Sequence, residues 1–193
     1  MGQRLNIEIV DNDGVIANSY YHWSAYTGSA IALTRHILDR YEEYKAKYHD
    51  RLELAVRLLE STGAGVNEKE LEDIKKYPEL SKLEIQKAQN RNKGLLSVTP
   101  EGITETENWE EGRVTIDLDS ESVIFSVFFH DGKDEYLEYS ADDGISDYEN
   151  LPVIDFDPGN ELNFKDFEHL EEVYQKSAFS YRLPNGNVIN WIE

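Results

Sequence analysis

The chain has 193 residues, no cysteine and a formal net charge of −20. Its length and its 39% hydrophobic content suit one hydrophobic core, so we expect a single domain over residues 1–193. The lack of cysteine excludes disulfides and thiolate metal sites, and the negative charge argues against direct binding of nucleic acid or acidic membranes. No segment has the apolar length of a signal peptide or a membrane span, so we expect a soluble, cytoplasmic protein.

The N-terminal residues predict a β-hairpin. Leu5, Ile7 and Ile9 occupy alternate positions, as in a half-buried strand. Asn12-Asp13-Gly14 then supplies a tight turn, because Asp-Gly favours the positive φ angles that such hairpins require. A second strand is expected to continue to Trp23.

Helices are predicted after the hairpin. Apolar residues spaced by three and four from Ala30 to Leu59 indicate either one long helix or two helices separated near His49-Asp50. We favour one long helix, with a possible kink, because the phase of the apolar pattern does not slip at that point. Shorter helices are predicted over 67–76 and 79–90.

The second half, from about residue 94, is rich in strand-forming residues, and glycines such as Gly102 separate its segments. The order of hairpin, helices, antiparallel strands, helix and hairpin predicts an α+β fold with a mainly antiparallel sheet. The predicted elements of this half are strands over 94–98, 113–118, 122–129 and 135–139, a helix over 163–176, and a hairpin over 179–192.

The charge excess belongs to the second half, because residues 1–98 have a net charge of −1 and residues 99–193 a net charge of −19. We interpret the carboxylates as an exposed face that binds a basic surface of a nucleic-acid-handling protein; a solvated face that only aids solubility is the alternative. The candidate partner-binding residues are Glu105, Glu107, Glu110, Glu111, Asp117, Asp119, Glu121, Asp134, Glu135, Glu138, Asp142 and Asp143, with Asp131, Asp147 and Glu149 as further outward positions.

A polar and aromatic segment over 18–27 leads from the second strand into the first predicted helix. Its rings suit stacking on a flat ligand, beside backbone N–H groups that could receive an anion. The candidate residues for binding a small molecule such as a nucleotide signal are Tyr20, Tyr21, His22 and Trp23, with Arg91 from the basic turn 90–94. Packing of the rings between hairpin and helix, and an ordinary helix end at the basic turn, are the alternatives.

No catalytic motif is recognisable. The five histidines do not form an HExxH pair, residues 155–161 lack the register of a calcium loop, and no phosphate-binding, dinucleotide-binding or nucleophile motif occurs. We therefore predict no metal, no cofactor and no enzyme activity. The order of elements resembles that of N-terminal nucleophile hydrolases, which keeps an unrecognised enzyme as an alternative, but Met1-Gly2-Gln3 offers no nucleophile.

Two N-terminal blocks, Gly2-Gln3-Arg4-Leu5-Asn6-Ile7-Glu8-Ile9 and Ala17-Asn18-Ser19-Tyr20-Tyr21-His22-Trp23-Ser24, resemble uncharacterised proteins of phages and prophages of Gram-positive bacteria. The resemblance covers residues 2–24 only and implies no known active site. It implies the cytoplasm of a bacterial host and an accessory role such as inhibition of a host defence protein. The partner's identity and homo-oligomer formation stay open at this point.

Overall fold

The computed structural model describes most of the first 126 residues and three short segments after them. In these ranges the chain forms a six-stranded sheet, α-helices that lie between its second and fourth strands in the sequence, and a second sheet of two strands. The predicted α+β class with a mainly antiparallel sheet is therefore confirmed. The described residues are 4–22, 24, 27–90, 93–107, 112–126, 161–164, 179–182 and 188–191.

Strands and helices occur in blocks along the chain rather than as repeated βα units. A single turn of 3₁₀ helix over Leu80–Lys82 lies between the third helix and the third strand. In chain order the elements are β1 (Leu5–Asp11), β2 (Gly14–Tyr21), α1 (Thr27–Lys47), α2 (Arg51–Glu60), α3 (Glu68–Ile74), β3 (Leu95–Ser97), α4 (Pro100–Glu107), β4 (Gly112–Asp117), β5 (Ser122–Ser126), β6 (Glu161–Asn163), β7 (Phe179–Arg182) and β8 (Val188–Trp191).

The six-stranded sheet has the order β3-β2-β1-β4-β5-β6, so the N-terminal strand lies near its centre. Only β1 and β4 pair in parallel, with Ile7 opposite Val114, and the other neighbours are antiparallel. The predicted N-terminal hairpin is confirmed, with Asp11 paired with Gly14 across the turn. Gly14 has a φ of +121°, which only glycine adopts readily.

The two faces of the sheet differ in chemistry. Ile7 and Ile9 are fully buried on the face that packs against α1 and α2. Asn6 and Glu8, which alternate with them, are also buried but lie on the opposite face, where Asn6 Nδ2 donates to the carbonyl of Thr106 in α4 at 3.0 Å. The apolar core therefore lies between the sheet and the first two helices, and α4 meets the polar face.

The single long helix that we favoured from the sequence is wrong, and the alternative of two helices is correct. The break lies between α1 and α2 at Asp50, whose backbone is extended and whose carboxylate accepts the N–H of Glu53 at 2.9 Å. An aspartate in this position stabilises a new helix start by about 1 kcal/mol. The apolar pattern hides the break because residues of both helices, including Tyr41 and Leu54, belong to the same core.

The helix predicted over 67–76 is confirmed as α3, which begins after the capping residue Asn67. The helix predicted over 79–90 is wrong apart from the 3₁₀ turn. Val66 donates to the Gln86 carbonyl at 2.9 Å and accepts from Ala88 at 2.8 Å, so this segment runs beside residue 66 instead of coiling. These backbone bonds to a residue distant in sequence outweigh the local preference for a helix.

Helix α4 was not predicted, because Gly102 was interpreted as a break between strands. Thr99 caps this helix, since its hydroxyl oxygen accepts the N–H of Gly102 at 3.1 Å, and Pro100 occupies the first helical position. A threonine followed by proline is a recognised helix start, so the sequence did contain a signal for α4.

None of the helices in the described ranges is long and apolar enough to cross a membrane.

Predictions for the remaining residues are tested only in part. The strands predicted over 94–98 and 113–118 are confirmed as β3 and β4, and the C-terminal hairpin is confirmed as β7 paired with β8. The first part of 122–129 is confirmed as β5, whereas β6 was not predicted. The strand predicted over 135–139 and most of the helix predicted over 163–176 lie outside the described residues.

Candidate functional site

The predicted acidic face is only partly within the described residues. Glu105 and Glu107 lie on α4, whereas Asp117, Asp119 and Glu121 lie at the end of β4 and in the turn to β5. The candidates outside the described residues are Glu110, Glu111, Asp131, Asp134, Glu135, Glu138, Asp142, Asp143, Asp147 and Glu149.

Three of the described acidic residues form ion pairs with basic residues of the first half. Glu105 accepts from Lys69 of α3 at 2.9 Å. In the turn between β4 and β5, Glu121 pairs with Lys45 of α1 at 2.5 Å, and Asp119 pairs with Arg51 of α2. These carboxylates are therefore neutralised locally, which leaves them less able to attract a cationic partner.

Among the described residues, Asp117 and Glu107 make no such pair with a first-half cation. Partial burial acts to raise the pKa of Asp117. Its Oδ1, however, accepts the backbone N–H of Asp119 at 2.7 Å and that of Ser120 at 3.1 Å, and these hydrogen bonds lower the pKa overall. Asp117 therefore serves to order the turn. Glu107 is half-buried at the C-terminal end of α4.

The structure places two residues of the predicted aromatic site, Tyr20 and Tyr21, on opposite faces of the sheet. Tyr21 lies on the helix-covered face, where its hydroxyl shares a hydrogen bond of 2.7 Å with Thr62 and where burial raises its pKa. Tyr20 projects to the opposite face and hydrogen-bonds with His22 at 3.0 Å. Both tyrosines are about 2% exposed or less, which favours the packing alternative. Trp23 and Arg91 lie outside the described residues.

The polar face of the sheet contains a buried carboxylate that the sequence analysis did not single out. Glu8 is 5% exposed and accepts a hydrogen bond from the Thr115 hydroxyl at 2.5 Å, with the Arg113 guanidinium 3.8 Å away. Nearby, Asn18 Nδ2 donates to the Thr106 hydroxyl at 2.9 Å. The Glu8 contacts join β1 to β4, and the hydrogen bonds from Asn6 and Asn18 to Thr106 hold α4 against the sheet.

A cleft of about 600 Å³ lies between the C-terminal end of α1, the end of α2 and the extended segment 84–86. Its volume falls within the usual range of about 300–1,000 Å³ for small-molecule sites. None of its residues was a candidate from the sequence, because three separated segments form it. The lining residues are Tyr44, Tyr48, Arg57, Glu60, Ser61, Glu84, Ile85 and Gln86.

The base of the cleft is a network centred on Arg57. Its Nη1 donates to Glu60 Oε2 at 2.7 Å and to the Glu84 carbonyl at 3.0 Å, and Glu60 Oε1 accepts the backbone N–H of Gln86 at 2.7 Å. Burial acts to lower the pKa of Arg57, but the hydrogen bond to Glu60 and the charges of Glu60 and Glu53 raise it overall. The network therefore fixes segment 84–86 against α2 and neutralises the arginine.

The wall of the cleft is a pair of tyrosines one helical turn apart. The ring centroids of Tyr44 and Tyr48 are 5.5 Å apart and the ring planes are perpendicular, which is a favourable geometry for two aromatic rings. Tyr48 also has the Nζ of Lys47 at 4.9 Å and the Cζ of Arg57 at 5.9 Å from its ring centre. Two cations of the protein thus already contact this ring.

The described ranges contain no group of three or more His, Asp or Glu side chains placed to hold a metal ion. The site is therefore best defined by two features: the acidic residues of the second half, and the tyrosine-lined cleft between α1 and α2.

No family model, curated protein or solved structure matches this chain.

Proposed function

We propose that this chain is a non-enzymatic binding protein whose acidic residues between 127 and 160 occupy a basic, nucleic-acid-binding surface of another protein. The charge count carries the proposal. Residues 127–160 contain ten acidic residues and only one basic residue, Lys133. The whole chain has 39 acidic residues against 19 lysines and arginines, so at least 20 carboxylates have no cation to match them one to one, and this segment alone has an excess of nine acidic residues.

The ion pairs of the first half strengthen this argument. Many of its basic side chains already contact a carboxylate among the described residues and are not available to the acidic segment. The engaged cations are Arg35, Lys45, Arg51, Arg57, Lys69, Lys75, Lys76 and Lys87.

The proposed mechanism is competition for a cationic surface. Proteins that hold nucleic acid present lysine and arginine to a dense row of phosphates, with one charge per ~1.7 Å of duplex axis. A carboxylate-rich segment is attracted to such a surface and blocks it, and the attraction weakens as salt screens it. A phage-encoded inhibitor of a host defence protein is the form of this function that the N-terminal resemblance implies.

The experiment compares two variants with equal charge change. The first neutralises three residues of the acidic segment, Glu138→Gln, Asp142→Asn and Asp143→Asn. The second neutralises three ion-paired residues, Glu105→Gln, Asp119→Asn and Glu121→Gln. A nucleic-acid-binding protein captured from a bacterial lysate at low salt and released at high salt is purified and titrated with each chain, with duplex DNA as competitor.

We expect the first variant to bind at least about tenfold more weakly than the unaltered chain, since each contacting charge contributes about 1 kcal/mol or more. The second variant should keep its affinity, and DNA should compete in every case. An equal loss in both variants would show that only total charge matters. If duplex DNA does not displace the chain from its partner, the chain does not bind the partner's nucleic-acid-binding surface, and that part of the proposal is wrong.

A further inference from the structure

A small pocket lies between α3, β3 and α4, on the polar side of the sheet. Its volume is about 60 Å³, several times the ~10–15 Å³ that one water molecule requires. Negative charge dominates the lining, because four carboxylates face a single lysine. These charged residues are Glu70, Asp73, Glu101, Glu105 and Lys69.

The wall that β3 contributes contains a buried hydroxyl. Ser97 is 4% exposed, and its Oγ has no hydrogen-bond partner among the described residues. Ser97 pairs with Asn18 of β2, so both side chains project from the same face of the sheet. That face meets α4, because Asn18 Nδ2 donates to the Thr106 hydroxyl at 2.9 Å. The Ser97 hydroxyl is therefore directed towards the pocket, where an unpaired polar group costs free energy.

Two of the four carboxylates are neutralised by ion pairs. Glu105 accepts from Lys69 at 2.9 Å, and Asp73 accepts from Lys76 at 2.5 Å. The side chains of Lys69 and Lys76 are 72% and 70% exposed, so neither ammonium group fills the interior of the pocket. The charge of the pocket therefore comes from the other two carboxylates.

Glu70 and Glu101 have no ion pair among the described residues. Glu70 is 4% exposed, and a Cβ on residue 102 would collide with its Oε2, so Gly102 of α4 makes room for this carboxylate. Glu101 is exposed and accepts the Tyr77 hydroxyl at 2.8 Å. That hydrogen bond, together with one from its own backbone N–H, lowers the pKa of Glu101. The pocket thus combines a buried carboxylate with an ionised one at its rim.

These features favour a cation that carries several N–H donors. The excess of carboxylates opposes an anion. Within the part of the chain that the structure describes, no three carboxylate or imidazole groups are placed to hold a metal ion. A primary ammonium group directs three N–H donors away from a compact charge, whereas the planar guanidinium group of arginine matches the edge of one carboxylate. Acceptors on three separate elements therefore suit an ammonium group best.

We propose that the pocket between α3, β3 and α4 binds a primary ammonium group, such as that of a lysine side chain of another protein. The Ser97 hydroxyl accepts one of its N–H groups, and Glu70 and Glu101 supply the negative potential. The pocket lies outside residues 127–160 and is tested without a protein partner. A failure here therefore leaves the proposed function intact.

The test is an NMR titration of the full chain at low salt, which follows the backbone amides of Ser97, Gly102 and Thr106. The probe is Nα-acetyl-lysine methylamide, and we expect saturable shifts at millimolar concentration. The arginine analogue should bind about threefold or more weakly because of its shape. The neutral Nε-acetyl-lysine analogue should bind about tenfold or more weakly, because it lacks the charge. Absence of shifts at these amides, or equal binding of either analogue, would overturn the proposal.

n-Butylamine distinguishes the source of the ammonium group, since it carries the same charge without the peptide units. Weaker binding of n-butylamine than of the lysine probe would support a protein side chain as the ligand. Equal or tighter binding would overturn that assignment in favour of a free amine.

Two substitutions locate the site, each with a matched control outside the pocket. Ser97→Ala should fold, because the hydroxyl has no described partner to lose, and should weaken binding of the lysine probe by about threefold or more. Exposed Ser81→Ala should leave binding unchanged. Glu101→Gln should also weaken binding by about threefold or more, because it removes a charge from the rim, whereas Glu79→Gln, which removes an exposed charge elsewhere, should not. Unchanged binding in Ser97→Ala, or equal losses in the two glutamate variants, would overturn the assignment.

Discussion

Glu121 combines an unfavourable backbone conformation with a side chain that is held on two sides. Its φ of +51° lies in the left-handed region, which costs a residue with a side chain about 1–2 kcal/mol. Its carboxylate accepts from the Tyr41 hydroxyl at 3.1 Å and from Lys45 at 2.5 Å, and its carbonyl accepts the N–H of Phe164 at 3.0 Å. These contacts join the turn after β4 to α1 and explain why glycine does not occupy the position.

The pH dependence of stability should reveal this contact. The hydrogen bond from Lys45 lowers the pKa of Glu121 in the folded protein, so the stabilisation is present above the unfolded-state pKa and is lost as the pH falls through the folded-state pKa. Glu121→Gln should therefore lower the free energy of unfolding near pH 7, by less than about 1 kcal/mol because the pair is half-exposed.

Urea denaturation of the unaltered chain and Glu121→Gln at about pH 7 and about pH 3.5 measures this difference. The two proteins should differ less in stability at the lower pH, and Lys45→Met should also differ less from the unaltered chain there. A difference that stays constant between the two pH values would mean that the ion pair does not stabilise the fold.

At the scale of elements, α3 holds the start of α4 through one buried carboxylate. Glu70 is 4% exposed, and its Oε1 accepts the backbone N–H groups of Val98 and Thr99, each at 2.8 Å. Its Oε2 accepts the Thr99 hydroxyl at 3.1 Å. A negative charge here also complements the positive end of the α4 dipole. The start of α4 therefore depends on a side chain of α3 for its backbone hydrogen bonding.

Glu70→Ala should lower the free energy of unfolding by about 3 kcal/mol, because it leaves buried donors without an acceptor. Glu70→Gln should cost less, since one carboxamide oxygen still accepts. Glu72→Ala, on the exposed side of the same helix and paired with Lys75, should cost less than about 1 kcal/mol. Chemical denaturation compares the three variants, and similar losses for Glu70→Ala and Glu72→Ala would contradict the role of the buried carboxylate.

Prediction from sequence succeeded where a short segment determines its own structure. Asp13-Gly14 and Asn67 each specify a turn or cap by local hydrogen bonding and backbone preference, so the hairpin and α3 were predicted correctly. It failed at segment 83–90, where backbone bonds to Val66 determine the conformation. The cleft was not predictable, because Tyr44 and Gln86 meet only once three segments have packed together.

Across the whole molecule, unbalanced negative charge opposes folding while ion pairs between the halves favour it. The net charge is −20, and mutual repulsion of this size destabilises the compact state. The exposed pairs of Lys45, Arg51 and Lys69 contribute only about 0–1 kcal/mol each. Salt screens both the repulsion among the carboxylates and the attraction within these ion pairs. The repulsion should therefore be the larger of the two contributions to stability.

Sodium chloride should raise the thermal unfolding midpoint of the chain. We expect an increase of several degrees between about 0.02 and 0.5 M salt, because screening reduces the repulsion more than it weakens the surface pairs. Calorimetry at fixed pH measures the shift, and sodium sulfate at equal ionic strength separates screening from ion exclusion at the surface. A midpoint that falls with salt would show that the ion pairs dominate.

The parallel pairing of β1 with β4 also affects how the protein is synthesised. The hairpin of β1 and β2 is complete within the first 21 residues, but the other edge of β1 pairs with residues 112–117. Translation must therefore add about ninety residues, at about 5–20 per second, before that edge can be covered. For several seconds the nascent chain displays the unpaired edge of β1 together with that strand's own apolar side chains, Ile7 and Ile9, and such an edge is prone to pair with another chain until it is covered.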